Sequence, residues 1–87
     1  MNKKQRKTLE QIFEKPTRSN IEWQAVESLL IALGAEISEG SGSRVRIALK
    51  DWRGVYHRPH PQKEMVKGAV DQLRKDLLKI GVKPDEL

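Results

Sequence analysis

The chain has 87 residues, which allows one small domain with a modest core and excludes a large two-lobed enzyme. Its net charge is +5 with 33% charged residues, so a polyanion such as nucleic acid is the first partner to consider. There is no cysteine, no apolar run long enough to span a membrane and no signal-peptide core. This excludes a disulfide scaffold and a thiolate site, and predicts a cytoplasmic protein without membrane contact.

A short amphipathic helix is predicted near the N-terminus. A basic cluster opens the chain, and Leu9, Ile12 and Phe13 follow at helical spacing before Pro16 ends the helix. We expect the apolar side of this helix to dock on the domain and the basic cluster to form a solvated arm.

A second helix is predicted in the segment SNIEWQAVESLLIALG. Ser19 or Asn20 can cap this helix, and Ser19 and Glu22 have the spacing of a capping box. Gly34 lies where a helix C-terminus favours a left-handed residue. Five apolar side chains repeat at helical spacing and are predicted to be core: Trp23, Val26, Leu29, Leu30 and Leu33.

Three strands are predicted next, in EIS, RVRIALK and WRGVYH. A turn at Lys50-Asp51 brings the large apolar side chains onto one face, where Trp52 and Tyr56 are expected in the core rather than stacked on bases. The same register places Arg44 opposite His57. The other face is then expected to be open, free of carboxylates and lined by Arg44, Arg46, Arg53 and His57.

A final amphipathic helix is predicted in GAVDQLRKDLLKIG. Its inward side chains are expected to be Val66, Ala69, Val70, Leu73, Leu77 and Ile80. The element order predicts an α+β fold, α-β-β-β-α as in a double-stranded-RNA-binding domain, with an extra N-terminal helix. Residues 1–18 are predicted to be an arm and short helix, residues 19–82 the core domain and residues 83–87 a tail.

The ordered set of motifs LGAE, GSGSRVRIAL, HRPHP, KE and KGAVDQLRKDLLKIGV resembles the HicA family of toxins over about residues 21–82. The resemblance implies a double-stranded-RNA-binding-like fold, cleavage of messenger RNA and neutralisation by a HicB-type antitoxin. In that family a glycine-serine-histidine begins the middle strand, whereas this chain has Gly42-Ser43-Arg44. The family's usual catalytic histidine is therefore absent. Either residues of the nearby third strand carry out the catalysis, or the chain binds RNA without cutting it.

The segment VYHRPHP holds the chain's two histidines, His57 and His60, which are the candidate catalytic residues. Histidine suits the proton transfers of metal-free RNA cleavage because its usual pKa of about 6.5 lies near working pH. Arginine suits the charged phosphorane because its planar fork holds two oxygens. The prolines at positions 59 and 61 break strand alternation, so the relative placement of the histidines stays open. The predicted RNA- or phosphate-binding residues are Arg44, Arg46, Arg53, Arg58 and Lys63.

The main prediction is a metal-independent endoribonuclease toxin with RNA and a HicB-type antitoxin as partners and no cofactor. A two-histidine metal site is disfavoured because no carboxylate accompanies the pair at useful spacing. One alternative is a non-catalytic RNA-binding module of the same fold, which the missing histidine favours. Another is a protein-interaction domain whose basic face binds an acidic partner.

Overall fold

The computed structural model describes residues 1–84, which form three helices and one three-stranded antiparallel sheet. In chain order the elements are α1 (Lys3–Ile12), α2 (Trp23–Ala32), β1 (Glu36–Glu39), β2 (Arg44–Leu49), β3 (Trp52–His57) and α3 (Lys67–Lys79). This order confirms the predicted α-β-β-β-α fold with an additional N-terminal helix. Within residues 1–84, no helix is long and apolar enough to cross a membrane.

Helix α1 begins with a capping box that was not predicted from the sequence. The Asn2 side chain accepts a hydrogen bond from the Gln5 backbone N–H at 2.8 Å, and the Gln5 side chain accepts one from the Asn2 N–H at 2.9 Å. Leu9 and Ile12 are buried, and the Arg74 Nε donates to the Ile12 carbonyl at 2.9 Å. The predicted docking of this helix is confirmed, since its apolar side belongs to the same core as the other elements.

The division into residues 1–18, 19–82 and 83–87 stays a prediction. The basic side chains of α1 are exposed, as expected for a solvated arm, although the apolar side of the same helix shares the domain core. Residues 85–87 of the predicted tail lie outside the described residues.

Helix α2 begins at Trp23, and the predicted capping box of Ser19 and Glu22 is wrong. Glu22 occupies the N-cap position, but no side chain caps the helix. The Trp23 N–H instead donates to the Lys63 carbonyl at 2.9 Å. A backbone contact from a distant loop replaces the local cap, which no local pattern can reveal. At the other end, Gly34 adopts the left-handed conformation that was predicted, with φ of 101°.

The sheet has the order β1-β2-β3, and β2 pairs with β3 in the predicted register. Leu49 lies opposite Trp52 next to the turn, and Val45 lies opposite Tyr56. Tyr56 is buried and Trp52 is half-buried against the core, which confirms their assignment to the covered face. A Cβ atom at Gly54 would come within 2.5 Å of the Trp52 ring, so glycine is what allows this ring to lie along the strand.

Helix α3 begins at Lys67, and the expectation that Val66 points inward is wrong. Val66 is the N-cap residue in extended conformation and is 64% exposed, whereas the preceding Met65 is 3% exposed. Because extended backbone alternates its side chains, burying Met65 turns Val66 outward. Farther along the helix, Asp76 accepts a hydrogen bond from the Tyr56 hydroxyl at 2.8 Å, which joins α3 to β3.

Candidate functional site

One face of the sheet is exposed, and it carries most of the predicted basic side chains. The pairs of opposed residues on this face are Arg44 with His57, Arg46 with Val55, and Ala48 with Arg53. The predicted placement of Arg44 and His57 on the same face is therefore confirmed. Directly opposed residues of this kind approach to roughly 5 Å between Cβ atoms, so the two side chains share one patch. Val55 adds an exposed apolar surface beside Arg46.

The expectation that this face holds no carboxylate is wrong. Glu36 of β1 pairs with Ala48, which pairs in turn with Arg53, so the three residues form one row across the sheet. The sequence predicted a first strand but no register for it, so the outward residues of β1 could not be assigned. The unopposed positive charge of the face therefore lies at its other end, around Arg44 and Arg46.

The arginines of the open face differ in what their guanidinium groups contact. Within residues 1–84, the side chains of Arg44 and Arg46 have no hydrogen bond or ion pair. The Arg53 Nη1 donates to the backbone carbonyls of Lys50 and Trp52, both at 2.9 Å. Arg53 thus closes back on the β2–β3 turn, whereas Arg44 and Arg46 keep all their donors for an external ligand.

Arg58, the first residue after β3, is engaged by two carboxylates. Its Nη1 lies 2.6 Å from the Glu39 Oε1, and its Nη2 lies 3.1 Å from the Glu27 Oε2. Hydrogen bonds to Glu39 and then to Glu27 raise the pKa of Arg58. Its Nε also lies 3.3 Å from the Glu27 Oε2, so three of its nitrogens are committed within the protein. This sets Arg58 apart from Arg44 and Arg46 among the predicted phosphate-binding residues.

The two histidines line one groove of about 300 Å³ between the end of β3 and the beginning of α3. His57 is the last residue of β3 and His60 lies in the following loop, and both side chains are exposed. Glu64, Met65 and Val66 also line this groove. Within residues 1–84 neither imidazole has a side-chain hydrogen bond, so the ring nitrogens of both lining residues are available to a ligand.

A larger groove of about 490 Å³ lies on the other side of the same loop. Lys63 lines it, together with the carboxylates Glu22 and Glu27. Lys63 therefore does not join the histidines in their groove. Arg58 lines both grooves. In the larger groove the two carboxylates offset the charges of Arg58 and Lys63, whereas the histidine groove contains only one carboxylate, so the larger groove is the less favourable one for a phosphate.

No cluster of three or more histidine, aspartate or glutamate side chains suited to a metal ion occurs among residues 1–84. The groove with the histidines contains a carboxylate, Glu64, but this set does not form a ligand cluster. The chemistry available from these residues is proton transfer by imidazole and charge stabilisation by guanidinium.

Glu27 and Glu39, the two carboxylates that bind Arg58, were not predicted as part of the site. Trp23 and Glu27 are four residues apart on α2, and the Trp23 Nε1 donates to the Glu27 carboxylate. This helical spacing was a readable signal for a polar partner of the indole. Glu39 lies 19 residues from Arg58 in sequence, and no local pattern indicates that contact.

A family model described as the HicA toxin of bacterial toxin-antitoxin matches residues 23–79, which is more than half of the chain. The chain belongs to the HicA toxin family. The matched residues run from the start of α2 to the end of α3, so they include the sheet, the histidine segment and the Arg58 contacts. Searches of curated proteins and of solved structures found no match. Membership of the HicA family confirms the resemblance inferred from the motifs and identifies the chain as the toxin member of a toxin–antitoxin pair.

Proposed function

We propose that this HicA-family chain is an endoribonuclease that cleaves messenger RNA in the bacterial cytoplasm without a metal ion. The observation that carries the proposal is that His57 and His60 line a single groove, with Arg44 directly across the sheet from His57. The chain thus has two imidazoles and an unpartnered guanidinium in one region, although the family's usual histidine is replaced by Arg44.

The proposed reaction is an internal transesterification. One imidazole takes the proton of a ribose 2′-hydroxyl, and the 2′-oxygen attacks the adjacent phosphorus. The bond from phosphorus to the 5′-oxygen breaks, and the other imidazole, as an imidazolium, gives a proton to that oxygen. The products are a 2′,3′-cyclic phosphate and a 5′-hydroxyl. Arg44 and Arg46 stabilise the additional negative charge of the phosphorane.

The proposed RNA path follows the open sheet face toward the histidine groove. Arg44 and Arg46 are the strongest candidates for phosphate contacts, because their guanidinium groups have no partner within residues 1–84. Arg53 would contribute mainly long-range attraction, since its Nη1 is bonded to two carbonyls and Glu36 lies in its row. Lys63 would contact RNA only if the strand also passed across the larger groove.

The proposed protein partner is an acidic HicB-type antitoxin that covers the open sheet face. A ribonuclease toxin must be held inactive in its own cell, and covering Arg44 and Arg46 would block RNA directly. Charge complementarity would also speed the capture of the toxin. The exposed Val55 between the charged residues offers an apolar contact at the centre of such an interface.

A non-catalytic RNA-binding module is the second candidate, and the observation that favours it is Arg44 at the position of the family's usual histidine. In this case the same open face would bind RNA, but the histidines would be ordinary exposed side chains. Both candidates predict RNA binding, and only the first predicts cleavage that depends on His57.

The experiment that tests the proposal is incubation of a labelled RNA with the wild-type protein and with His57→Ala, both in excess EDTA. The proposal requires wild-type cleavage with cyclic-phosphate and 5′-hydroxyl ends, and a large loss of cleavage in the variant. Equal cleavage by both proteins would show that the active site does not include His57. Tight RNA binding without any cleavage by the wild type would favour the non-catalytic module.

A further inference from the structure

The loop that contains His60 is fastened to the rest of the protein at both ends. At its start, the Arg58 N–H donates to the Ser43 carbonyl at 2.8 Å. At its end, the Met65 N–H donates to the Ile21 carbonyl at 2.8 Å, and the Lys63 carbonyl accepts from the backbone of α2. The loop is therefore anchored by backbone hydrogen bonds at both ends, and the position of His60 depends on these two anchors.

The first anchor is strengthened by the Arg58 side chain, which joins three separate elements. Arg58 follows β3, Glu27 lies in the middle of α2, and Glu39 is the last residue of β1. The Nε and Nη2 of Arg58 lie 3.3 and 3.1 Å from one Glu27 oxygen, and its Nη1 lies 2.6 Å from Glu39. A planar fork held at three nitrogens has little freedom to rotate.

Glu27 is itself held in place. The indole N–H of Trp23 donates to the same carboxylate oxygen that binds Arg58. Trp23 is 4% exposed, and its ring lies 6.1 Å from the ring of Tyr56, the residue before His57. A chain of contacts thus runs from a buried tryptophan through a fixed carboxylate to Arg58, which lies between the two histidines in sequence.

We propose that Arg58 is a positioning residue, which holds the histidine segment in its groove through Glu27 and Glu39 and does not itself bind phosphate. The inference rests on the proposed ribonuclease function, because it assigns a role in that reaction. It departs from the simplest expectation for an arginine beside two histidines, which is contact with RNA.

Two physical arguments support positioning over phosphate contact. A phosphate that bound Arg58 would have to displace Glu27 and Glu39 from its guanidinium group. Glu27 would then be left beside the Trp23 indole without the positive charge of Arg58. Arg44 and Arg46 lie on the open face with no such competition. In addition, ion pairs at partly exposed side chains add little to global stability, so their main effect here is on local geometry. A misplacement of about 1 Å at a catalytic group can lower the rate by about 10²-fold, so a change in local geometry is enough to affect cleavage.

The test compares Arg58→Gln, Arg58→Lys and Glu27→Gln with the wild type, and uses Arg18→Gln as the matched control. Arg18 forms an ion pair with Glu14 at 2.8 Å and has similar exposure, but it lies away from the groove. We expect Arg58→Gln to lower kcat by roughly 10- to 100-fold with KM and the salt dependence of RNA binding nearly unchanged. Lysine keeps the charge but lacks the fork, so Arg58→Lys should recover only part of kcat. Arg18→Gln should behave as the wild type.

A double-mutant cycle separates the two roles further. If Arg58 and Glu27 act as one unit, combining Arg58→Gln with Glu27→Gln should lower kcat no more than Arg58→Gln alone. A phosphate contact would instead raise KM, reduce the salt slope of binding by about 1, and leave Glu27→Gln fully active. Either that pattern or an unchanged kcat in Arg58→Gln would overturn the positioning role.

A measurement that does not need cleavage distinguishes failure of this inference from failure of the ribonuclease function. Imidazole signals of His57 and His60 in a nuclear magnetic resonance spectrum report their order directly. Increased mobility of His60 in Arg58→Gln and in Glu27→Gln, but not in Arg18→Gln, would support positioning even if the wild type did not cut RNA. Unchanged histidine signals in both variants, with the domain folded, would refute it.

Discussion

The open face of the sheet and the side covered by helices differ in whether their polar side chains have partners within the protein. On the open face, Arg44, Arg46 and His57 have no side-chain partner within residues 1–84. On the covered side, the buried Arg74 binds the Ile12 carbonyl and Thr17, and the buried Asp76 binds Tyr56. Polar groups withdrawn from water must be partnered, whereas exposed ones can stay available for a ligand. Substitutions on the two sides should therefore affect different properties.

The largest expected effect is on the open face. His57→Ala should lower the rate of RNA cleavage by about 10²–10⁴-fold, which corresponds to roughly 3 to 5 kcal/mol in the barrier. RNA affinity and the thermal midpoint should stay close to those of the wild type, because the His57 side chain is exposed. Single-turnover rates, a binding isotherm and a melting curve measure the three quantities. His60→Ala should give a comparable loss if it carries the second proton, and very little if it is only a loop residue.

If the loss of activity in His57→Ala were accompanied by a melting temperature low enough to explain it, the contrast between the two sides would not hold. The open face would then contribute to folding as the covered side does. Asp51→Ala is a suitable control, since it changes another exposed side chain of the β2–β3 hairpin, one that has no hydrogen bond or ion pair within residues 1–84.

The next effect is on the covered side and concerns stability. Asp76→Ala should destabilise the domain by about 1–3 kcal/mol, because it leaves the buried Tyr56 hydroxyl without its hydrogen-bond acceptor. Burial first, and then the hydrogen bond to Asp76, raise the pKa of the Tyr56 hydroxyl well above its usual range, so it remains a neutral donor. Urea unfolding measures the change. Asp76→Asn keeps an acceptor and should lose less stability. An equally large loss of stability in both variants would show that the negative charge of Asp76, and not only its role as an acceptor, stabilises the fold.

Activity per folded molecule should be nearly unchanged in Asp76→Asn. A variant that kept its stability but lost RNA cleavage would show that the covered side takes part in the chemistry, contrary to the comparison. The two faces would then have to be treated as one coupled unit.

Residue patterns predicted the sheet better than they predicted the contacts around it. The alternation in RVRIALK and the turn at Lys50-Asp51 were sufficient for the register, because shifting the pairing by one residue would expose the apolar face. The short β1 offered no such constraint, and Glu36 was therefore not expected on the open face. The cap of α2 and the partners of Arg58 were missed for a shared reason, since both are contacts between residues far apart in sequence.

The candidate site was predicted in part. The placement of Arg44 and His57 on one face follows from the register, but the common groove of the two histidines depends on how the loop folds after β3. The residue type alone does not distinguish one arginine from another, although Arg46 is unpartnered within residues 1–84 and Arg58 is bound by two carboxylates. The difference lies in the surroundings that the fold supplies and not in the residue type.

A smaller effect separates the arginines of the open face itself. Arg46→Ala should lower the salt slope of RNA binding by about 1, because it removes one phosphate contact and the counterion release that accompanies it. Arg53→Ala should change the slope less, since its Nη1 is already bonded to the Lys50 and Trp52 carbonyls. Binding measured from low to physiological salt gives the slopes. Equal slopes for Arg46→Ala and the wild type would remove this part of the face from the RNA path.

The smallest predicted effect concerns Asp71, whose carboxylate is held by partners on the covered side. A hydrogen bond from the Thr17 hydroxyl, and then the contact with Arg74, lower the pKa of Asp71 below its usual value. A carboxyl with a lowered pKa in the folded state stabilises the fold above its unfolded pKa, and this contribution is lost as the pH falls through the folded pKa. Thr17→Val should therefore raise the pKa of Asp71 and reduce the pH dependence of unfolding in the acid range, as followed by carboxyl titration and urea midpoints. Thr8→Val makes the same chemical change at a threonine that bonds only the Lys4 carbonyl, so it should leave Asp71 unaffected. If both variants titrated alike, the Thr17 hydroxyl would not be the main cause of the shift, and Arg74 alone would have to account for it.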